Sequence, residues 1–362
     1  MRRAWIAATM VIVAAGGIGV GPSVARADDV VTVVADHLNN PRQMVAYGNK
    51  VFVAEAGTGG DPTTCVADQP CVGFTGSVTA VFHDKAHRVQ SGLISLAIPG
   101  EGGGPPEVVG VDALAMDGNR LYGIATSSCQ LPPGLPSKVT RQLGHILRMN
   151  GGRSVTPLAD VATFECTQNP DGQEPDSDPY GIAVRRGTFY VADAAGNDVV
   201  KVRKGKVSVA TVLSTTAQPV PTSLAFGPDG ALYIGTLNFE GGPGGAAVYR
   251  LAPGSDTATP YAEGLTAVTG IAFDRTGNLY ASEFSTTFDS NGPGMDGDVV
   301  VIPPGGGTDG RRTLGTGQLH FPGGVAVTDN GTVYVSNWSI AGGEDGAFGP
   351  GNHGQVVKIV PG

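Results

Sequence analysis

Short runs in which apolar and polar residues alternate recur along this chain, as at residues 78–82 and 356–360. Alternation of this kind buries one face of a β-strand and leaves the other polar. The 57 glycines and 26 prolines would suit a low-complexity chain, but here they fall between the runs, where they make turns. The pattern predicts an all-β protein.

The runs form six copies of one unit. Each copy opens on a short apolar strand: Pro41-Arg42-Gln43-Met44-Val45, Val111-Asp112-Ala113-Leu114-Ala115, Pro179-Tyr180-Gly181-Ile182-Ala183, Pro221-Thr222-Ser223-Leu224-Ala225, Val268-Thr269-Gly270-Ile271-Ala272 and Pro322-Gly323-Gly324-Val325-Ala326. A second strand follows, centred on Phe52, Tyr122, Tyr190, Tyr233, Tyr280 or Tyr334. From the second residue of each opening to the third after the aromatic, the separation is 13, 13, 13, 14, 14 and 14. A third and a weaker fourth strand complete each unit. Four antiparallel strands repeated radially predict a six-bladed β-propeller. The sixth unit ends at Pro361-Gly362 without a fourth strand, and Val30-Val31-Thr32-Val33-Val34-Ala35 is expected to supply it, removing an exposed sheet edge. A seventh blade would need a degenerate unit between Phe52 and Tyr122 or between Tyr122 and Tyr190.

Ahead of the repeats, Arg2 and Arg3 precede a small-residue apolar stretch that ends at Ala25-Arg26-Ala27. This order is that of a secretory signal peptide, with cleavage expected after Ala27 and residues 28–362 forming one propeller domain. Cleavage leaves 20 basic against 32 acidic residues, a formal charge of -12. That acidity argues against nucleic acid as a partner. No later segment is long and apolar enough to be a transmembrane helix, so the mature protein is expected to be a secreted, periplasmic or cell-envelope monomer without an anchor. Export permits disulfides. Four cysteines allow three pairings, of which Cys65 with Cys71 and Cys129 with Cys166 is the expected one.

The repeated openings, with Phe-Gly-Pro-Asp-Gly-Ala-Leu-Tyr-Ile at 226–234 and Tyr190-Val191-Ala192-Asp193, resemble NHL-type propellers and the gluconolactonase and paraoxonase group. The first unit is more specific. Leu38-Asn39-Asn40-Pro41-Arg42-Gln43, Val53-Ala54-Glu55-Ala56-Gly57-Thr58-Gly59-Gly60, Cys65, Cys71 and Thr75-Gly76-Ser77-Val78 stand there; Phe321-Pro322-Gly323-Gly324 and Val335-Ser336-Asn337 stand in the last unit. Together with the signal peptide these are similar to the ScyD/ScyE family of exported propellers. The resemblance implies fold and export and supplies no catalytic residues.

The longest insertions, at 56–75, 101–110, 127–143, 164–178, 238–245, 284–297 and 341–354, are all expected on one face, where a pocket would sit on a rigid scaffold. Two rings of equivalent positions point to the channel mouth on that face. One contains Arg42, Asp112, Tyr180, Thr222, Thr269 and Gly323; the other contains Glu55, Ala125, Asp193, Thr236, Glu283 and Asn337. In gluconolactonase-like propellers, Glu, Asp and Asn around the channel hold a divalent metal. That resemblance makes Glu55, Asp193, Glu283 and Asn337 ligands for calcium or a similar cation. Asp112 would then be a further ligand or general base, and Arg42 would hold an anionic group. In the competing reading the same polar ends bond backbone groups of neighbouring blades, or Arg42 pairs with an adjacent carboxylate. Tyr180 and Trp338 are further ligand-binding candidates. The histidines show no metal-binding spacing, and Asp289-Ser290-Asn291-Gly292 lacks the form of an EF-hand.

Two functions follow. One is a binding or scaffold propeller whose looped face holds a small molecule, sugar, peptide or cell-envelope partner. The alternative is a metal-dependent, lactonase-like hydrolase or lyase at the channel mouth.

Overall fold

A computed structural model describes residues 29–66, 69–100, 106–131, 134–289, 292–344 and 348–362. The expected signal peptide at 1–27 and Ser290-Asn291 lie outside the described residues.

The chain folds into six antiparallel blades around one axis. From the axis outwards, blade 1 contains Pro41–Tyr47, Lys50–Glu55, Cys71–Phe82 and Lys85–Ile98, and blade 2 contains Val111–Asp117, Arg120–Ala125, His145–Met149 and Val155–Asp160. Blade 3 contains Pro179–Arg185, Thr188–Asp193, Asp198–Arg203 and Lys206–Val212; blade 4 contains Pro221–Phe226, Leu232–Thr236, Ala246–Leu251 and Ala258–Leu265. Blade 5 contains Val268–Phe273, Leu279–Glu283, Asp296–Ile302 and Arg312–His320. Blade 6 contains Val325–Val327, Val333–Asn337 and Gly354–Val360, and its outer strand is the N-terminal Val30–Leu38. Val30 pairs with Val360 and Val33 with Val357, so the expected closing strand is in place and extends to Leu38. The innermost strands pack against one another in ring order, and blade 6 returns to blade 1.

One detail departs from six equal blades. Blade 1 carries a fifth strand, Glu107–Val109, paired with Leu96–Ile98. The excess sequence that a seventh blade would have required is instead this strand and two short helices, Ser137–Thr140 and Ala162–Gln168.

The core lies between blades. Ile124 and Ile146 of blade 2 meet Ile182, Val191 and Val200 of blade 3, while Val299 and Leu314 of blade 5 meet Val335 and Val357 of blade 6. Each fully buried Ile or Leu contributes about 1.5–3 kcal/mol, so these faces dominate cohesion of the ring. The repeated second-strand tyrosines add edge-on contacts to the next blade, Tyr122 to Phe189 at 4.8 Å and Tyr190 to Phe226 at 5.6 Å.

Each of the seven expected insertions joins a second to a third strand or one blade to the next, which puts these connections on one face, while the blade 5 turn 303–311 between third and fourth strands lies on the other. Both expected disulfides are present on the insertion face, Cys65–Cys71 and Cys129–Cys166, with Cα separations of 5.2 and 5.5 Å.

Candidate functional site at the channel mouth

The first five innermost strands each carry a register irregularity at the predicted ring position. Pro179 pairs with Asp193 but Gly181 with Ala192, which leaves Tyr180 outside the ladder. The same break falls at Asp112, Thr222 and Thr269, and across Arg42 and Gln43 in blade 1. A bulge bends the strand and re-aims the unpaired residue. Here it turns one side chain per blade towards the axis, a feature the periodicity did not reveal.

These residues divide into two groups. In blades 4 and 5 they seal joints between blades: the Thr222 hydroxyl donates to the Val268 carbonyl at 2.6 Å and the Thr269 hydroxyl to the Gly323 carbonyl at 2.9 Å. The Gln43 side-chain amide donates to the Thr222 carbonyl at 2.6 Å, joining blade 1 to the opposite blade 4. Backbones are close here. A Cβ on Gly181 would lie 2.5 Å from the Thr222 carbonyl oxygen, and one on Gly324 would lie 2.5 Å from the Gln43 Cα.

In blades 1 to 3 the ring residues instead form a charged cluster. Arg42 Nε lies 3.6 Å from Asp112 Oδ1, an ion pair too long for a hydrogen bond, and both residues are buried. Arg42 Nη2 donates to the Val108 carbonyl at 2.5 Å. Among the described residues, neither Asp112 oxygen nor Arg42 Nε has a hydrogen-bond partner. The nearby Thr126 N–H favours the charged form of Asp112, yet its own bond goes to the Gly110 carbonyl at 2.8 Å. Next to this buried pair, Glu107, Asp178 and Tyr180 are half-buried.

Burial raises the Asp112 carboxyl well above the usual carboxylate range against the pull of Arg42, and Asp178 and Glu107 push it the same way. Burial alone would lower the Arg42 guanidinium, but Tyr180, Asp112, Glu107 and Asp178 together hold it above its ordinary value. Burial also drives Tyr180 up to about 12, and raises Asp178 to about 7 despite the bond from the Thr126 hydroxyl at 2.8 Å. Three carboxyls thus surround one guanidinium. The site suits a neutral, hydroxyl-bearing ligand better than the anion expected for Arg42, because a hydroxyl can donate to Asp112 and accept from Arg42 Nε.

Glu107 and Asp178 were not singled out from the sequence; they sit in long insertions with no repeat partner to mark them. The insertion carrying Asp178 is fastened by the Cys129–Cys166 disulfide and by Asp176, which accepts the Ser128 hydroxyl at 2.9 Å and the Cys129 N–H at 3.0 Å.

The second ring does not converge. Glu55 accepts the Asn39 N–H at 3.0 Å, the hydroxyls of Ser77 and Thr79 at 2.9 and 2.6 Å, and Arg88 Nη2 at 3.0 Å. Asp193 accepts the Asp178 N–H at 2.7 Å, Glu283 the Thr266 N–H at 2.5 Å, and Asn337 the His320 N–H at 2.6 Å. Each therefore latches the segment entering its own blade, bonding backbone as the competing reading expected, though of these donors only the His320 N–H belongs to a strand of the neighbouring blade. Among the described residues, the one group of three His, Cys, Asp or Glu side chains with ligand atoms within 4.8 Å of one another is Asp36, His37 and His353, elsewhere on the molecule. Glu55, Asp193, Glu283 and Asn337 do not fit a shared cation at the channel mouth. Trp338 is buried beneath the blade 6 insertion, against His320 and Phe348, and offers no free face.

A family model described as the SMP-30/gluconolactonase/LRE-like region matches residues 145–358. The chain belongs to that family. Similar solved structures include a protein from Thermus thermophilus described as a putative oxidoreductase (glucose dehydrogenase), with 15% identity, 92% of this chain and 100% of that chain covered, and a TM-score of 0.52. A calcium-binding protein, regucalcin, from Agrobacterium tumefaciens has 12% identity, coverage of 93% and 94%, and a TM-score of 0.50. A gluconolactonase from Xanthomonas campestris has 12% identity, coverage of 93% and 92%, and a TM-score of 0.50. At these identities the likeness shows the propeller fold. No curated protein sequence matches the chain.

Proposed function

We propose that this SMP-30/gluconolactonase/LRE-like propeller is an exported ligand-binding protein, of ScyD/ScyE type, that holds a small hydroxyl-rich molecule at its channel mouth. One observation carries the reading: the buried oxygens of Asp112 and the Nε of Arg42 lack hydrogen-bond partners among the described residues, next to the half-buried Glu107, Asp178 and Tyr180. A buried polar group without a hydrogen bond costs about 1–3 kcal/mol, and a polyol or sugar bonding both groups recovers that cost. Export rests on the pattern of residues 1–27 and accords with two disulfides on the looped face.

Calorimetric titration of the mature protein with neutral sugars, sugar acids and amino sugars tests the binding reading. Neutral sugars should bind, and Asp112→Asn should weaken them at least tenfold. Equal affinity for sugar acids, or binding unaffected by Asp112→Asn, would sink it.

A second reading is favoured by Asp178, whose carboxyl burial raises to about 7. A carboxyl with that affinity serves as a general base or acid near neutral pH, so a sugar lactone could be hydrolysed rather than only held. The similarity to the calcium-binding regucalcin and to the gluconolactonase motivates including divalent cations in that test. Lactone hydrolysis that is lost in Asp178→Asn would establish the enzyme, and its response to a chelator would separate a cation-dependent reaction from one run by these side chains alone.

A further inference from the structure

We propose that Asp36, His37 and His353 form a binding site for a zinc-class divalent metal that fastens the ring closure. The site is separate from the channel mouth and independent of any ligand there. Its residues come from the two ends of the domain: Asp36 and His37 from the closing strand Val30–Leu38, and His353 from the position immediately before Gly354–Val360, the strand it pairs with.

The local backbone aims these groups at one another. Between Ala35, paired with Val356, and Leu38, paired with Gly354, the closing strand holds one residue more than its partner. His37 accommodates this bulge with φ of 57°, in the left-handed region that few side chains other than Asn, Asp and His adopt. The His37 N–H donates to Asp36 Oδ1 at 2.8 Å, which orients the carboxylate. Its other oxygen lies 3.5 Å from His37 Nδ1, and Oδ1 lies 3.8 Å from His353 Nδ1. The two imidazoles face each other with centroids 4.1 Å apart and planes 30° from parallel. One ligand atom from each of the three residues lies within 4.8 Å of the other two.

Two neutral imidazoles and one carboxylate match the donor set of zinc and neighbouring transition metals; calcium and magnesium favour all-oxygen sites. Bonds of about 2.0–2.2 Å require the ligand atoms to draw together by about 1 Å. His37 and Asp36 have room for this, with side chains 63% and 42% exposed, while His353 is held at 12%.

The consequence is mechanical. The N-terminal strand is joined to the rest of blade 6 by backbone pairing without a disulfide. A metal held by residues 36, 37 and 353 would cross-link the ends of the domain, stabilising the closed ring by mass action.

The test uses the mature full chain carrying no histidine tag, titrated with zinc chloride by calorimetry and with cobalt chloride by absorption, with thermal unfolding in zinc or in chelator. The expected results are one metal per chain, a tetrahedral cobalt spectrum and a Tm rise of about 3–5 °C at saturating zinc. His37→Asn keeps a residue tolerant of the left-handed backbone, and His353→Asn is its counterpart; each should lower metal affinity at least tenfold and abolish the Tm rise. His87→Ala, at an exposed position on blade 1, should leave both unchanged. Absence of stoichiometric binding, or a zinc-dependent Tm rise that survives in both His37→Asn and His353→Asn, overturns the proposal.

Discussion

Gln43 of blade 1 and Thr222 of blade 4 meet across the propeller axis, the Gln43 side-chain amide donating to the Thr222 carbonyl at 2.6 Å. Blades 1 and 4 are opposite in a six-membered ring, so this bond spans the channel below the charged cluster. Gln43→Ala removes it and leaves a buried carbonyl short of a donor, a cost of about 1–3 kcal/mol. Chemical denaturation should show that loss with an unchanged m-value. A neutral result would mean that the channel is not closed at this level.

Stability should fall as pH rises. Glu283 and Asp298 are directly paired across strands and buried, and burial with mutual repulsion raises Glu283 to about 8, while burial raises Asp298 to about 6. In the helix Ala162–Gln168, ahead of blade 3, burial with Asp193 and Asp171 raises Glu165 to about 8, and its blade 3 neighbour Asp198 is also pushed well up. A carboxyl whose folded pKa lies above its unfolded value keeps a proton that the unfolded chain releases. Its contribution is therefore full below the unfolded value of about 4 and is lost as pH rises through about 6–8. Melting scans should give a Tm several degrees lower at about pH 9 than at about pH 5. Glu283→Gln should narrow that gap by raising the Tm at the alkaline end.

Arg42 and Asp112 should prove strongly coupled. Arg42→Met leaves the Asp112 carboxyl buried without its counter-charge, and breaking a buried pair in this way costs about 3–5 kcal/mol. Replacing both, as Arg42→Met with Asp112→Leu, should recover at least half of that loss. A double-mutant cycle from urea unfolding measures the coupling; simple additivity would show that the two charges do not sense each other.

The two disulfides should contribute unequally. Cys129–Cys166 closes a separation of 37 residues and Cys65–Cys71 one of 6, so the loop-entropy model gives about 4 and about 2 kcal/mol. Unfolding of the two paired Cys→Ala variants ranks them. The Cys129/Cys166 variant should also weaken any ligand at the channel mouth, since Asp178 and Asp176 bond to the chain at Thr126 and Cys129.

Much of this protein is legible from strand periodicity. Repeats at fixed offsets dictate six blades because each unit must bury its alternating faces against its neighbours, and the missing sixth outer strand calls for a partner that residues 30–35 match. The working face and the cysteine pairing follow from where the insertions fall. Side-chain direction was beyond that reach. Periodicity placed Glu55, Asp193, Glu283 and Asn337 around the axis, but each carboxyl or amide oxygen instead takes a backbone N–H from the segment that enters its own blade. A bulge in the innermost strands brings Arg42, Asp112 and Tyr180 to the channel mouth, and insertions add Glu107 and Asp178. His37 and His353 stand at opposite ends of the domain sequence, and no spacing rule relates them. Ring closure brings them together, because the first strand pairs with the last.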